Sequence, residues 1–447
     1  VRKYLVFLLS LLSKKLTWIM KPTILTLLFF LCFASLLPAQ HVPAPAPKQT
    51  RPIVIKGATA HLGNGQVIEN CAIAFDEGKI TFVGSANDRR AFPNHLEIDA
   101  TGKHLYPGFI APNTTLGLLE IGAVRATRDV GEVGTFNPNI RSIIAYNTDS
   151  EITPTIRSMG VLLAEIVPQG GRIPGSSSIV ELDAWNWEDA AYKTDHAIHL
   201  NWPSAYSYNW RQRKMSKNDR YAEQVKEIES FFKEAAAYTK KENPEPKNLK
   251  FEAMRGLFDR SVKLFIHADD ATAIESGVML AKEHGMSAVI VGGRDAWMVA
   301  DFLKESDVPV ILGETQSLPR RQHADIAQPF KTPAQLQDAG VVFAFSGGGH
   351  WQNRNLAFQA GQAVGFGLKY EDAVKALTSN TAQIMGIGKT VGTIAEGMDA
   401  TLFISDGDAL DMRTANVIRA FIRGKDIDLD NKQKQLYRRF QKKYERQ

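Results

Sequence analysis

Four stretches in the second half of the chain constrain its fold more than any other feature. Leu264-Phe-Ile, Ala288-Val-Ile-Val, Val308-Pro-Val-Ile-Leu and Val341-Val-Phe-Ala-Phe are apolar runs without alternation. A strand with one face in water alternates apolar and polar residues, whereas a strand covered on both faces does not. Between the runs the period lengthens to that of a helix. In the first interval Ile274, Val278 and Ala281 recur at helical spacing, with Asp270 placed to cap the start and Gly285 the end. Alternation of buried strands with helices predicts a parallel sheet. Eight such units close a barrel of about 250 residues, and residues 107–389 have room for one plus an insertion at 205–250. Within that insertion, residues 219–241 read as a strongly charged amphipathic helix, a solvated surface helix, ended by Asn243-Pro-Glu-Pro.

The flanks follow a different rhythm. Residues 53–106 carry short strands divided by turns: Ile53-Val-Ile, then Cys71-Ala-Ile-Ala-Phe, the turn Asp76-Glu-Gly-Lys, and Ile80-Thr-Phe-Val-Gly. Residues 390–430 return to short strands at Leu402-Phe-Ile-Ser and Val417-Ile-Arg-Ala-Phe-Ile. Residues 40–52 read as a stiff Pro-rich linker, and residues 431–447 as a basic tail that is a solvated helix end.

Charge excludes one class of partner. The net charge is +5, from 53 basic and 48 acidic residues, and Arg2, Lys3, Lys14, Lys15 and Lys21 all precede residue 40 with no acid among them. Subtracting these five leaves 48 against 48, so no basic surplus points to nucleic acid. Lys21, the apolar stretch 24–33 and a cleavage position after Ala39 give residues 20–39 the layout of a signal peptide. The expectation is a start at Met20, residues 1–19 as leader, and export to the periplasm or beyond. Cys71 is then the one mature cysteine, which excludes an intrachain disulfide and a cysteine metal site and suits a small buried hydrophobe.

Several segments together resemble one family. Ile55-Lys-Gly-Ala-Thr, Asp76-Glu-Gly-Lys-Ile-Thr-Phe-Val-Gly and Ile98-Asp-Ala-Thr-Gly-Lys-His-Leu-Tyr-Pro-Gly-Phe-Ile resemble the opening of metal-dependent amidohydrolases, closest to the imidazolonepropionase-like subgroup. Leu377-Thr-Ser-Asn-Thr-Ala-Gln-Ile-Met-Gly-Ile and Val391-Gly-Thr-Ile-Ala-Glu-Gly-Met-Asp-Ala-Thr-Leu-Phe-Ile resemble that family's return from the barrel. The resemblance spans about residues 53–425. It implies an α/β fold, a TIM-like (β/α)8 barrel at 107–389 beside a small β-sandwich built from residues 53–106 and 390–430.

The family pattern also implies metal ligands, and here the chain departs from it. The family uses metal to lower the pKa of a bound water and polarise a carbonyl. Its ligands are His-x-His after strand one, Lys or Glu on strand four, a His each after strands five and six, and Asp after strand eight. The corresponding positions hold Asn113 and Thr115, then His267, Gly292 and Gly347. Lys193 and Glu188 lie near strand four with the register left open. One imidazole is too few for a zinc site, so the expected site is degenerate. His267 is the residual metal-ligand position, no cofactor is expected, and the catalytic residues stay unassigned. This points to a non-catalytic binding or structural subunit whose partner is an active relative of the same fold or a second copy, with an unknown small-molecule ligand. The alternative is an active hydrolase of non-peptide C–N bonds, amide or cyclic amide, with zinc or another divalent metal in a site rebuilt from His267, Asp269 and His350.

Secondary features stay open. Arg294 and Glu314 line the mouth for a charged ligand or form a surface ion pair. The loop 169–178 offers backbone N–H groups to an anion or is a plain turn. The aromatic segments 183–189 and 201–210 wall a pocket, form a subunit face, or belong to the core.

Overall fold

The computed structural model describes residues 44–445 apart from 89, 210, 212, 320, 322 and 323; the signal-peptide expectation falls outside them. Eight strands form the central sheet: β1 (Phe109–Thr114), β2 (Val161–Ile166), β3 (Gly175–Glu181), β4 (Ala191–Asn201), β5 (Lys263–Ala268), β6 (Ala288–Gly292), β7 (Val310–Leu312) and β8 (Phe343–Phe345). Each strand neighbours the next in sequence, in the order of a TIM-like barrel. The four apolar runs are β5 to β8, all parallel.

The expected uniform (β/α)8 repeat is broken once. β3 runs antiparallel to both β2 and β4. Parallel strands need a crossover of a dozen or more residues, while antiparallel neighbours need only a short turn. Residues 167–174, between β2 and β3, are too few for a crossover, so the chain reverses. A short helix Trp187–Ala190 then turns it into β4.

Helices Ala271–Glu283, Gln328–Asp338 and Leu356–Val364 follow β5, β7 and β8. Asp270 holds the N-cap position of the first without a side-chain capping bond, and Gly285, at φ +67°, closes its C-terminal end. The insertion folds as a hairpin, Tyr206–Asn209 with Lys214–Lys217, followed by helix Tyr221–Thr239. That helix is amphipathic: Ile228, Phe232 and Ala235 are fully buried in the main core and form one apolar stripe, with the charged residues on the other faces.

Inside the barrel, Ala197, Phe265, Val289, Val291, Ile311 and Ala344 pack together with Ile384 from helix Ser379–Ile384. At that end Lys263 donates to the carbonyls of Gln383 and Ile384, and Lys193 to that of Gly386. Cations there also suit the negative end of the helix dipole.

The barrel closes without a backbone ladder between β8 and β1, the two ends of the sheet order. Side chains and one backbone bond, Thr115 N–H to Gly349 O at 3.4 Å, tie the seam. Ser346 Oγ donates to Pro112 O at 3.2 Å, Thr114 Oγ1 to Gly349 O at 2.5 Å, and the buried Asn353 amide to Thr114 Oγ1 and Gly349 O, both at 2.9 Å.

Beside the barrel lie a four-stranded and a six-stranded sheet. Leu402–Ser405 pairs antiparallel with His104–Pro107, so the terminal segments do form one composite unit around a shared core. Cys71 is fully buried in strand Cys71–Asp76, and burial pushes its thiol up to about 12. Part of the Pro-rich segment lies against this body: Ala46 N–H donates to Asp183 at 2.8 Å and Gln49 bonds to Phe75 O and Gly78 N.

Replacing Asn353 by Ala strips two seam acceptors of their buried donor and is expected to cost about 1–3 kcal/mol in chemical denaturation. Hydrogen exchange should rise first at residues 113–116. Unchanged exchange there would show that the seam does not depend on this amide.

Candidate functional site

The C-terminal ends of the barrel strands enclose a pocket of about 260 Å³. Asn113, Thr115, Gln169, Asn201, His267 and Gly349 are among its lining residues, none of which carries a formal charge apart from the titratable His267. A larger cavity, about 440 Å³, opens at the opposite end between Lys263, Lys304 and Gln383. It lies away from the strand ends where barrel loops gather functional groups.

Below the pocket is a buried polar layer. Glu165 is the lone acid of the apolar strand β2 and is wholly excluded from solvent. Its Oε1 accepts from Ser177 Oγ at 2.8 Å and lies 3.1 Å from His196 Nε2 and 3.6 Å from His199 Nε2. Its Oε2 accepts from Asn113 N–H at 2.9 Å. His199 Nδ1 and His267 Nε2 are 2.8 Å apart. The carboxylate, His199 and His267 therefore form a line from the barrel interior to the pocket floor.

Burial works to raise the Glu165 pKa, but hydrogen bonds and charge interactions with His196 and His199 outweigh it and hold the carboxyl well below the carboxylate range. Burial drives His196 down, and burial with the neighbouring His199 pushes His267 down to about 3. The consistent state is an ionised Glu165 solvated by hydrogen-bond donors with His196 and His267 neutral. Such a pocket suits a neutral polar ligand better than an ion.

The residues singled out in the sequence divide. Asn113, Thr115 and His267 line the pocket. Asn113 has φ +52°, a conformation Asn tolerates better than most residues. Asp269 pairs with Arg294, 3.4 Å distant, and neither is among the pocket-lining residues. Glu314 is exposed, with its carbonyl accepting from Ser317 Oγ, and is not among the pocket-lining residues. His350 begins the short turn Trp351–Asn355, where Glu120 supplies the nearby charge, and is likewise outside the lining. Lys193 bonds at the opposite end of the barrel and Glu188 precedes β4 on its short helix. Strand four instead presents His199 and, opposite His267, Asn201.

The loop 169–178 is partly the start of β3. Its Gln169, Arg172 and Ile173 N–H groups are spent on Val130 and Thr135 carbonyls, so they cannot serve an anion. Among the aromatics, Trp202 belongs to the core, Trp187 packs against it, and Trp185 is exposed.

The two glycines do not mark open ligand positions. A β-carbon on Gly347 would lie 2.8 Å from both Cα and N of Asn353. On Gly292, at φ +99°, it would lie 2.8 Å from Asp269 Oδ1. Among the described residues no group of three or more His, Cys, Asp or Glu side chains is arranged to hold a metal ion. The donor set thus does not fit the metal centre that the sequence resemblance implies.

Glu165, His196 and His199 escaped the sequence reading, whereas Ser177 and Asn201 fell within the loop 169–178 and the segment 201–210 that it singled out. The signal for the first three was a lone acid within Val161–Ile166 and two histidines in Ala191–Asn201.

A family model described as Amidohydrolase family matches residues 267–427. The fold resembles the crystal structure of an amidohydrolase from Thermotoga maritima MSB8, 24% identical, covering 84% of this chain and 99% of that one with a TM-score of 0.73. It also resembles a zinc-bound adenosine deaminase from Xanthomonas campestris, 15% identical, covering 90% and 99% with a TM-score of 0.53. A prolidase complexed with N-methylphosphonate-L-proline is 17% identical over 84% and 99%, with a TM-score of 0.51. No curated protein matches the chain.

An imidazole held below its ordinary value stays neutral in the folded chain while the unfolded chain takes up a proton below about pH 6.5. Stability is therefore expected to fall as pH drops from about 6.5 towards 3, and the depressed Glu165 adds to the loss below its unfolded value. Melting temperature should decline between pH 7 and 5, and His267→Asn should make that decline shallower. Parallel curves for the two proteins would mean His267 is not held neutral.

Proposed function

We propose that this chain, a member of the amidohydrolase superfamily, is a small-molecule-binding or structural subunit without a resident catalytic metal. The observation that carries the reading is steric. The strand-eight position at which the family places its metal-binding, proton-moving Asp is Gly347, and the backbone of Asn353 fills the space a side chain would need. Asn113, Thr115 and Gly292 replace three more donors, and the remaining imidazole, His267, directs Nε2 to His199. What remains is a pocket of neutral hydrogen-bonding groups, suited to a small uncharged polar ligand such as an amide. An active relative of the same fold, or a second copy, is the partner class this role calls for. Export rests on the layout of residues 20–39.

One arrangement favours a second reading. His267 is backed in series by His199 and the ionised Glu165, and such backing orients an imidazole for proton transfer. In that case the chain hydrolyses amide or cyclic-amide C–N bonds, and His267→Ala abolishes a measurable rate.

Metal content of the purified mature protein separates the two from a conventional enzyme. We expect less than about a tenth of an equivalent of zinc, manganese or iron after metal is supplied; a catalytic site of this kind holds at least one. Gly347→Asp should cost about 1–3 kcal/mol of stability through overpacking and leave metal content unchanged. A stoichiometric metal in the parent protein would overturn the proposal.

A further inference from the structure

The last described helix, Lys432–Tyr444, contributes nothing to the pocket and has no buried residue. Its start is tied to the body. Asn431 caps it and donates to Ser158 Oγ at 2.8 Å, and Thr155 Oγ1 donates to Gln433 at 2.7 Å. Beyond the first turn it carries large apolar side chains in the open: Leu436, Tyr437, Phe440 and Tyr444 are 39%, 69%, 52% and 65% exposed.

Their placement is ordered. At about 100° per residue these four fall within an arc of about 100°. Lys432, Lys434, Arg438, Arg439, Lys442 and Lys443 occupy the remaining circumference, and the helix contains no acid. Arg438 is paired with Asp430; the other cations frame the apolar stripe. The sequence reading of a solvated helix end accounts for the charge but not for three exposed aromatic rings on one face.

We infer that this helix is a docking element for an anionic phospholipid bilayer, lying in the plane of the membrane surface. Aromatic rings with polar tips settle at the boundary of headgroup and acyl chain, while lysine and arginine bind anionic headgroups. At 13 residues with six cations this helix is too short and too polar to span a bilayer, so its contact is with the surface. Charge also chooses between occupants. Two copies joined through this stripe would bring the unpaired flanking cations of both helices together along about 20 Å, whereas an anionic surface neutralises them.

The test is flotation of the full-length mature protein with vesicles of phosphatidylcholine alone or with about a third phosphatidylglycerol, at low and high salt. Recovery with the anionic vesicles is expected to exceed that with the neutral ones at least tenfold, and to fall as salt screens the attraction. Phe440→Ala with Tyr444→Ala, and separately Arg439→Glu with Lys443→Glu, should each lower it about tenfold or more, with the melting temperature unchanged. Equal recovery with neutral vesicles, unaltered binding by both variants, or no flotation with self-association lost in the aromatic variant would each overturn the inference. Binding to an acidic protein in place of vesicles would do the same.

Discussion

One ionised carboxyl inside the barrel imposes conditions on much of what surrounds it. An isolated charge in that setting is prohibitively costly, and hydrogen-bond donors must stand in for water. Glu165 obtains them from Ser177, from Asn113 N–H and from His196. Those donors come from β3, from the end of β1 and from β4. Three strands must therefore hold their registers for one residue of β2 to be tolerated. The bend at Asn113 is part of the same arrangement, since it is this residue's N–H that reaches Oε2.

The polar layer also explains how the mouth of this barrel is organised around hydrogen bonds. In a metal centre, imidazoles offer lone pairs outward to the ion. Here His267 Nε2 is 2.8 Å from His199 Nδ1, and the chain of contacts ends at a fixed negative charge in the interior. The two strand ends that lack a ligand are packed against Asn353 and Asp269. At these two positions the surrounding atoms leave no room for a larger side chain, and fold says little about chemistry until such positions are read.

Much of the fold was legible because its strands obey simple periodicities. Unbroken apolar runs gave β5 to β8, and turn-rich alternation gave the composite β unit. The reversed β3 was harder to read, because strand direction depends on connection length and the segment 169–178 offers glycines and serines in place of an apolar run. Of the site, Asn113, Thr115 and His267 were found by position in a pattern. The Glu165 layer was not: a lone acid or histidine in a strand reads as surface until its neighbours in space are known. His350 and Glu314 were near in sequence to strand ends, yet backbone turns after β7 and β8 carry them off.

The seam between β8 and β1 has a consequence for how the molecule opens. Its ties join residues 234 to 239 positions apart, and side chains with one backbone bond, rather than a strand ladder, form them. Contacts that distant bear a high loop-closure entropy and form late. Every other junction of the sheet is a backbone ladder between strands that follow one another in sequence, even across the long insertion between β4 and β5. The seam is therefore the stretch of wall held by the fewest backbone bonds, and local opening of the barrel is expected to begin there rather than within any strand ladder.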